Sequence, residues 1–170
     1  NRKYAAMVES IDDCMRDILA ELKKHQLDEN TLIIFTSDNG GLDRNGDPTD
    51  NAPLRSGKGY CYEGGIRVPF LARWPAKIPA GQKTDFPVSS IDLFPTIMEA
   101  TRTDLPKDHP IDGLSLHTLV SSGGKKSPKR ETLIWHFPHY RHAPGPYSII
   151  RKGNFKLIKF WEGIHELYDL

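Results

Sequence analysis

The ten residues at positions 32–41, LIIFTSDNGG, decide the fold. The apolar and β-branched run at 32–36 predicts a short, fully buried strand, and Asp38, Asn39, Gly40 and Gly41 follow it directly. Ligands of open α/β sheets bind beyond the carboxyl ends of the strands, where these side chains would lie. Carboxylate and amide oxygens suit Ca²⁺ or Mg²⁺. Asp-Asn-Gly is equally good turn chemistry, so the stretch alone leaves both a metal site and a turn open.

Helical and strand patterns alternate on either side of this stretch, which predicts an α/β fold. Apolar residues in steps of three and four predict an amphipathic helix over about 4–27. Residues 40–65 hold seven of the fourteen glycines and are typical of a long functional loop. A second strand is predicted over 67–74. A helix capped by Ser89 or Ser90 is predicted to run to Ala100, and a short helix is predicted over 114–120.

From Glu131 onward the periodicity changes to that of strands. Four strands are predicted over 132–137, 147–151, 155–161 and 166–170, with a hairpin turn at 152–154. We therefore expect an α/β part over residues 1–125 and a small antiparallel sheet over 126–170. The chain opens without Met and stops inside the last strand, so we expect both ends to be cut.

The charge balance predicts no attraction to nucleic acid or to an anionic membrane. The 170 residues carry 23 Lys and Arg against 22 Asp and Glu, a formal net charge of +1. No apolar run approaches the roughly 20 residues of a membrane span. The basic cluster at 125–130, which ends in Arg130, lies among Gly and Ser and is predicted to be a solvated loop. Cys14 and Cys61 form neither a disulfide framework nor a metal knuckle, and Cys14 is predicted to be buried in its helix.

Lys58 lies between two glycines in Ser56-Gly57-Lys58-Gly59, which resembles part of a phosphate-binding loop. No glycine stands five residues before Gly57, and Gly59 replaces the hydroxyl residue of that motif, so a nucleotide-binding loop is not predicted. A lysine flanked by glycines can approach an oxyanion closely as a point charge. The alternative is a solvated surface lysine.

His136, His139 and His142 form an H-x-x-H-x-x-H pattern with Arg141 beside it. Pro138 disfavours a helix here, and the flanking aromatic residues indicate a strand that leads into a loop. The pattern favours an ordinary aromatic-rich loop over a loop that presents His and Arg141 to an anionic ligand, and either of these over a zinc site.

Several motifs, in order along nearly the whole chain, resemble the type I (formylglycine-dependent) sulfatases of the alkaline-phosphatase-like superfamily. They are Tyr4-x-x-x-Val8-x-x-x-Asp12, Thr36-Ser37-Asp38-Asn39-Gly40, Asn51-Ala52-Pro53-Leu54-Arg55-Ser56-Gly57-Lys58-Gly59, Glu63-Gly64-Gly65-Ile66-Arg67-Val68-Pro69, Ser90-Ile91-Asp92-Leu93-Phe94-Pro95-Thr96, Asp112-Gly113-Leu114-Ser115-Leu116 and Glu166-Leu167-Tyr168-Asp169-Leu170. The Thr-Ser-Asp-Asn-Gly and Gly-Lys-Gly elements together make the resemblance specific.

The resemblance implies part of an alkaline-phosphatase-like α/β sandwich, with the small antiparallel sheet as its C-terminal subdomain. It implies that Asp38 and Asn39 bind the single divalent cation, Ca²⁺, and that Lys58 contacts the sulfate and the leaving-group oxygen. The expected substrate is a sulfated small molecule or glycan. We further expect His136, His139, Arg141 and His142 to line the mouth of the substrate pocket. The compartments that the resemblance implies are periplasmic, secreted or lysosomal.

The nucleophile motif of these enzymes, Cys-x-Pro/Ala-x-Arg, does not occur at Cys14 or Cys61. We therefore expect the chain to be the C-terminal portion of a sulfatase, to need the N-terminal half of the same enzyme as its partner, and to be inactive alone. Two alternatives stay open. One is a phosphate or phosphonate monoester hydrolase of the same superfamily, and the other is a binding module without catalysis.

Overall fold

The computed structural model describes residues 1–141 and 145–170. These residues form two compact units, each assembled from separate parts of the chain. The first unit comprises Asn1–Val8, Phe35–Phe70 and Glu131–Leu170, and the second comprises Glu9–Ile34 and Leu71–Arg130. The predicted division at residues 125 and 126 stays a prediction. None of the helices in the described ranges has the length and hydrophobicity that a membrane span requires.

The observed helices and strands follow the predicted alternation. The helices are α1 (Arg2–Lys24), α2 (Glu63–Ile66), α3 (Leu93–Ala100) and α4 (His117–Ser121), with short 3₁₀ turns at Asp28–Asn30 and Ser90–Asp92. The strands are β1 (Ile33–Thr36), β2 (Phe70–Arg73), β3 (Leu133–Phe137), β4 (Tyr147–Lys152), β5 (Phe155–Phe160) and β6 (His165–Asp169). The mixed α/β class is thereby confirmed, while α2 lies within the stretch predicted to be a loop.

The strand β1 pairs with β2, but it is not the fully buried strand that was predicted. Ile33 and Ile34 are half-buried, and Phe35 and Thr36 are exposed. Among the described residues, β1 and β2 form a sheet of two strands. Cys14 is likewise exposed, contrary to prediction, because the described part of the chain buries no residue of α1.

The C-terminal strands form the predicted antiparallel sheet, in the order β3-β4-β5-β6. The turn between β4 and β5 contains Gly153, whose φ of +59° suits a residue without a side chain. Alternate residues of β5 are buried, which puts one face of the sheet into a core with Cys61. That core consists of Cys61, Ile149, Ile158 and Phe160, with Tyr62, Ile66, Trp135, Tyr147 and Tyr168 packed against it.

The second unit is organised around the fully buried carboxylate of Asp92. Ser89 caps the turn before α3, and its backbone N–H donates to Asp92 Oδ2 at 2.8 Å. Asp92 Oδ1 accepts from the N–H of Leu114 at 2.9 Å and from the guanidinium of Arg130. The Arg130 side chain is only 6% exposed, so the prediction that the basic cluster is wholly a solvated loop is wrong at this residue. The buried carboxylate of Asp92 thus pairs with the one arginine of the cluster as its counter-charge.

The helix predicted over 114–120 begins three residues later. The N–H of Leu114 binds Asp92, and the N–H of Leu116 donates to Thr96 Oγ1 at 2.8 Å. Helix α4 begins at His117, with Leu116 as its N-cap.

Candidate active site

The site is built first by the residues that follow β1. Ser37 Oγ donates to the carbonyl of Asn39 at 2.9 Å, which closes a tight turn. Asn39 Nδ2 donates to the carbonyl of Gly40 at 3.1 Å. The amide nitrogen is thus directed at the backbone, and the amide oxygen is left to accept another partner. Asp38 beside it is exposed, and its carboxylate makes no hydrogen bond or ion pair within the described ranges.

Glycines join this turn to α2. The N–H of Gly40 donates to the carbonyl of Gly65 at 3.0 Å. A Cβ on Gly40 would lie 1.7 Å from the carbonyl oxygen of Gly64, so a side chain at this position cannot coexist with the observed packing. Gly64 in turn donates to the carbonyl of Arg55 at 2.9 Å, and a Cβ on Gly64 would lie 1.9 Å from the carbonyl oxygen of Ser56. The glycines of the two motifs are needed because two backbones touch here.

Lys58 is placed on the same framework by its backbone. Its N–H donates to the carbonyl of Gly41 at 2.8 Å. Asn51 Nδ2 donates to that same carbonyl at 2.9 Å and to the carbonyl of Ser56 at 3.0 Å. The Lys58 side chain itself is exposed. The loop that carries the predicted metal ligands and the loop that carries the predicted sulfate-binding lysine are therefore held together by direct hydrogen bonds.

Asp38 and Asn39 offer the chemistry of a hard divalent cation site. One is an unpaired carboxylate, and the other has a free amide oxygen. The described residues contain no cluster of three or more His, Cys, Asp or Glu side chains that could hold a metal ion. Two oxygen side chains thus fit such a cation, although they fall short of the six to eight or so ligands that Ca²⁺ takes. The roles of Asp38, Asn39 and Lys58 stay predictions.

The predicted pocket-mouth residues lie on and after β3. His136 is exposed, its Nδ1 is 2.9 Å from Ser148 Oγ, and its ring centroid is 5.4 Å from that of Trp161. His139 lies in the following loop with its ring edge-on to Phe137 at 4.9 Å. This agrees with a strand that leads into an aromatic-rich loop. Substrate binding by His136, His139 and the exposed Arg141 stays a prediction, and His142 lies outside the described residues.

Cys61 lies in the loop between Lys58 and α2, but it is a core residue. It is 1% exposed, and burial raises the pKa of its thiol to about 11. The thiol is therefore protonated at neutral pH and is not poised as a nucleophile. Its carbonyl accepts a hydrogen bond from Lys156 Nζ at 2.7 Å, and that ammonium also contacts Glu63 Oε1 at 2.8 Å.

The sequence gives no signal for this contact. Successive side chains of β5 point to opposite faces of the sheet, and each face carries one lysine, Lys156 or Lys159. The sequence pattern therefore does not tell which lysine is buried. Glu63 lies in a Glu-Gly-Gly stretch that reads as a loop. Only the packing of β5 against the site loop reveals that Lys156 and Glu63 are partners.

Comparison with known families gives two overlapping matches. The family described as Sulfatase matches residues 1–103, and the family described as N-sulphoglucosamine sulphohydrolase, C-terminal, matches residues 56–170. A sulfatase of Formosa agariphila is 35% identical over 98% of this chain and 33% of its own length. The steryl-sulfatase of Rattus norvegicus is 42% identical over 69% of this chain and 21% of its own length.

Solved structures share the fold. The Ps i-CgsB protein in complex with k-i-k-neocarrahexaose has a TM-score of 0.84 at 32% identity, covering 98% of this chain and 36% of that one. A protein in complex with its substrate D-glucosamine-2-N,6-O-disulfate has a TM-score of 0.79 at 26% identity, with coverages of 98% and 33%. The phosphonate monoester hydrolase of Agrobacterium radiobacter has a TM-score of 0.74 at 29% identity, with coverages of 98% and 34%. The chain thus spans about a third of the length of these proteins, and it belongs to the sulfatase family.

Proposed function

We propose that this chain is the C-terminal part of a sulfuric ester hydrolase and supplies part of its active site. The observation that carries the proposal is the hydrogen bond from the Lys58 N–H to the carbonyl of Gly41 at 2.8 Å. It ties the loop of Asp38 and Asn39 to the loop of Lys58, so a divalent cation and the Lys58 ammonium would serve one substrate group. The N-terminal half of the same enzyme is the partner that completes the site.

Each of the three side chains has a distinct task in this proposal. The Asp38 carboxylate and the Asn39 amide oxygen would hold the divalent cation, and hard oxygen donors favour Ca²⁺. When bound, that cation supplies positive charge for the sulfate oxygens. The Lys58 ammonium binds the sulfate and stabilises the charge that develops on the leaving-group oxygen. Gly57 and Gly59, the residues on either side of Lys58, carry no side chains that could block the approach of the ester.

The nucleophile would come from outside the residues described above. Cys61 is excluded because its thiol is buried and burial raises the pKa of that thiol to about 11. Cys14 lies on the exposed surface of α1 and is followed by Met15-Arg16 rather than by a formylglycine motif. A hydrated formylglycine supplied by the partner half is the nucleophile that the family resemblance implies.

The proposed substrate is a sulfated small molecule or glycan. A relative of known structure binds D-glucosamine-2-N,6-O-disulfate as its substrate, and another was solved with an oligosaccharide. Their likeness to this chain supports a sugar-bearing sulfate ester. His136, His139 and Arg141, which follow one another along β3 and its loop, would contact such an anionic substrate at the pocket mouth.

A second candidate is hydrolysis of a phosphonate monoester, because the Agrobacterium radiobacter enzyme of that activity shares the fold at 29% identity. The experiment compares kcat/KM of the full-length enzyme for aryl esters of sulfate, phosphate and phenylphosphonate with the same leaving group. We expect the sulfate ester to be the best substrate, and a Lys58→Met variant to lose turnover of it. Preference for the phosphonate would favour the second candidate. Lack of turnover of every ester would favour a non-catalytic module.

A further inference from the structure

Lys156 carries a positive charge inside the apolar core of the first unit. It lies on the core face of β5, in line with Ile158 and Phe160, and its side chain is 2% exposed. A buried ammonium is strongly disfavoured unless it is paired and hydrogen-bonded. Lys156 Nζ meets this demand with two acceptors, the carbonyl of Cys61 at 2.7 Å and Glu63 Oε1 at 2.8 Å.

These two acceptors lie on either side of Tyr62, where α2 begins. Glu63 is the first residue of α2, and its side chain is 15% exposed. Tyr62, the N-cap residue, makes no side-chain capping hydrogen bond within the described part of the chain. Lys156 therefore fixes the start of a helix of four residues that has little stability of its own.

Helix α2 is in turn the support for both halves of the proposed site. Its Gly65 carbonyl accepts from the N–H of Gly40, directly after Asn39. Its Gly64 N–H donates to the carbonyl of Arg55, three residues before Lys58. The backbones are so close that neither glycine has room for a side chain. A displacement of α2 must therefore move one or both loops.

We propose that the buried Lys156–Glu63 pair is a positioning device that sets the distance between the Asp38–Asn39 turn and Lys58. This inference rests on the proposed function for its catalytic consequence. Within residues 1–141 and 145–170, neither the Lys156 nor the Glu63 side chain forms a hydrogen bond or ion pair with the three site residues. They would therefore act through α2, as positioning residues rather than catalytic ones.

The test compares Lys156→Met with Lys156→Arg and with Arg130→Met in the full-length enzyme. Lys156→Met removes the positive charge while keeping a side chain of similar length, and Lys156→Arg keeps both the positive charge and the hydrogen-bond donors. Arg130→Met is the matched control, because it breaks the other buried ion pair, that of Arg130 with Asp92, within the second unit. The melting temperature of each variant is measured first. Under conditions where each variant is folded, kcat for a sulfate ester and amide hydrogen exchange at Gly40 and Lys58 are then measured.

We expect Lys156→Met to lower kcat by about 10-fold or more, since misplacement of reacting groups by about 1 Å can cost about 100-fold. Exchange at the amides of Gly40 and Lys58 should become faster, because these donors bind Gly65 and Gly41 across the junction. Lys156→Arg should retain much of the wild-type kcat and much of the slow amide exchange at Gly40 and Lys58. Arg130→Met should lower the melting temperature while leaving kcat and those amides as in the wild type.

A merely structural role for Lys156 would give a different result, in which the melting temperature falls but kcat per folded molecule and exchange at Gly40 and Lys58 stay at wild-type values. That result would overturn the inference. If Lys156→Met does not fold, Glu63→Gln, which keeps the shape of the side chain, carries the same test. If the wild-type enzyme hydrolyses no sulfate ester, the proposed function fails, and the exchange measurement alone decides whether the pair positions the loops.

Discussion

Gly40→Ala is the sharpest perturbation of the junction between β1 and α2. The added Cβ would lie 1.7 Å from the carbonyl oxygen of Gly64, whereas ordinary contact begins at 3.4 Å. The two backbones must therefore separate by about 1.7 Å. The φ angle of Gly40 is not among the positive values found in the chain, so the effect is steric rather than one of backbone conformation.

The expected cost is large for catalysis and moderate for stability. Overpacking of this kind costs about 1–3 kcal/mol of folding free energy. A shift of the Asp38–Asn39 turn by more than 1 Å should lower kcat by about 100-fold or more, equivalent to about 2.7 kcal/mol in the activation barrier. The assay is steady-state hydrolysis of an aryl sulfate by the full-length enzyme, with the folded fraction measured by circular dichroism.

Gly46→Ala is the matched control in the same loop region. A Cβ on Gly46 meets no atom within 4 Å, although its φ of +93° makes the substitution strained by about 1–2 kcal/mol. We expect it to lower stability without lowering kcat. The reasoning would be refuted if Gly40→Ala kept wild-type kcat, or if Gly46→Ala lowered kcat to the same extent.

Further predictions concern buried charge and the cysteines. Asp92→Asn should lower the free energy of unfolding by about 3–5 kcal/mol in urea titrations, because it leaves the buried guanidinium of Arg130 without its counter-charge; a loss below about 1 kcal/mol would contradict this. Native alkylation followed by peptide mapping should modify the exposed Cys14 and spare the buried Cys61, and equal modification would show that Cys61 is accessible. Because the thiol pKa of Cys61 rises from 9.0 to about 11 on folding, the unfolded thiol ionises first as pH rises. Stability should thus be intact below pH 9 and fall by about 2–3 kcal/mol between about pH 9 and 11. Cys61→Ala should remove that part of the pH dependence, and an unchanged pH profile in Cys61→Ala would contradict it.

The sequence predicts the elements whose patterns are local. The apolar steps of α1 and the strand patterns of β3 to β6 appear where expected, since each depends on its own periodicity. Ser89, one of the two predicted caps, is the N-cap of the 3₁₀ turn Ser90–Asp92 that leads into α3, because capping is decided within four residues.

Features set by distant contacts are not predictable from such patterns. Helix α2 contains Gly64 and Gly65, which disfavour a helix, and it is held instead by Lys156 and by the two site loops. Likewise, Arg130 differs from its basic neighbours only because the carboxylate of Asp92 lies next to it. The exposure of β1 depends on what packs against the faces of its sheet, which no window of sequence records.

The candidate site likewise has some features that the sequence predicts and others that it does not. Asp38, Asn39 and Lys58 stand out in the sequence by their chemistry and their glycine neighbours. The contact that unites them does not stand out, because it consists of hydrogen bonds that the Lys58 N–H and the Asn51 side-chain amide donate to the carbonyl of Gly41. Backbone contacts between loops depend on the path of the chain, and residue type reveals them only through the glycines they require.

The central claim is that Asp38 and Lys58 serve one site with different tasks. The most direct measurement is calorimetric Ca²⁺ titration of the full-length enzyme, its Asp38→Ala variant and its Lys58→Met variant, each paired with kcat for a sulfate ester. We predict that Asp38→Ala weakens Ca²⁺ binding by about 10-fold or more and abolishes turnover, since affinity depends on the ligand charge count. Lys58→Met should bind Ca²⁺ as the wild type does and lose about 100-fold or more in kcat. Wild-type Ca²⁺ affinity in Asp38→Ala, or wild-type kcat in Lys58→Met, would contradict the claim.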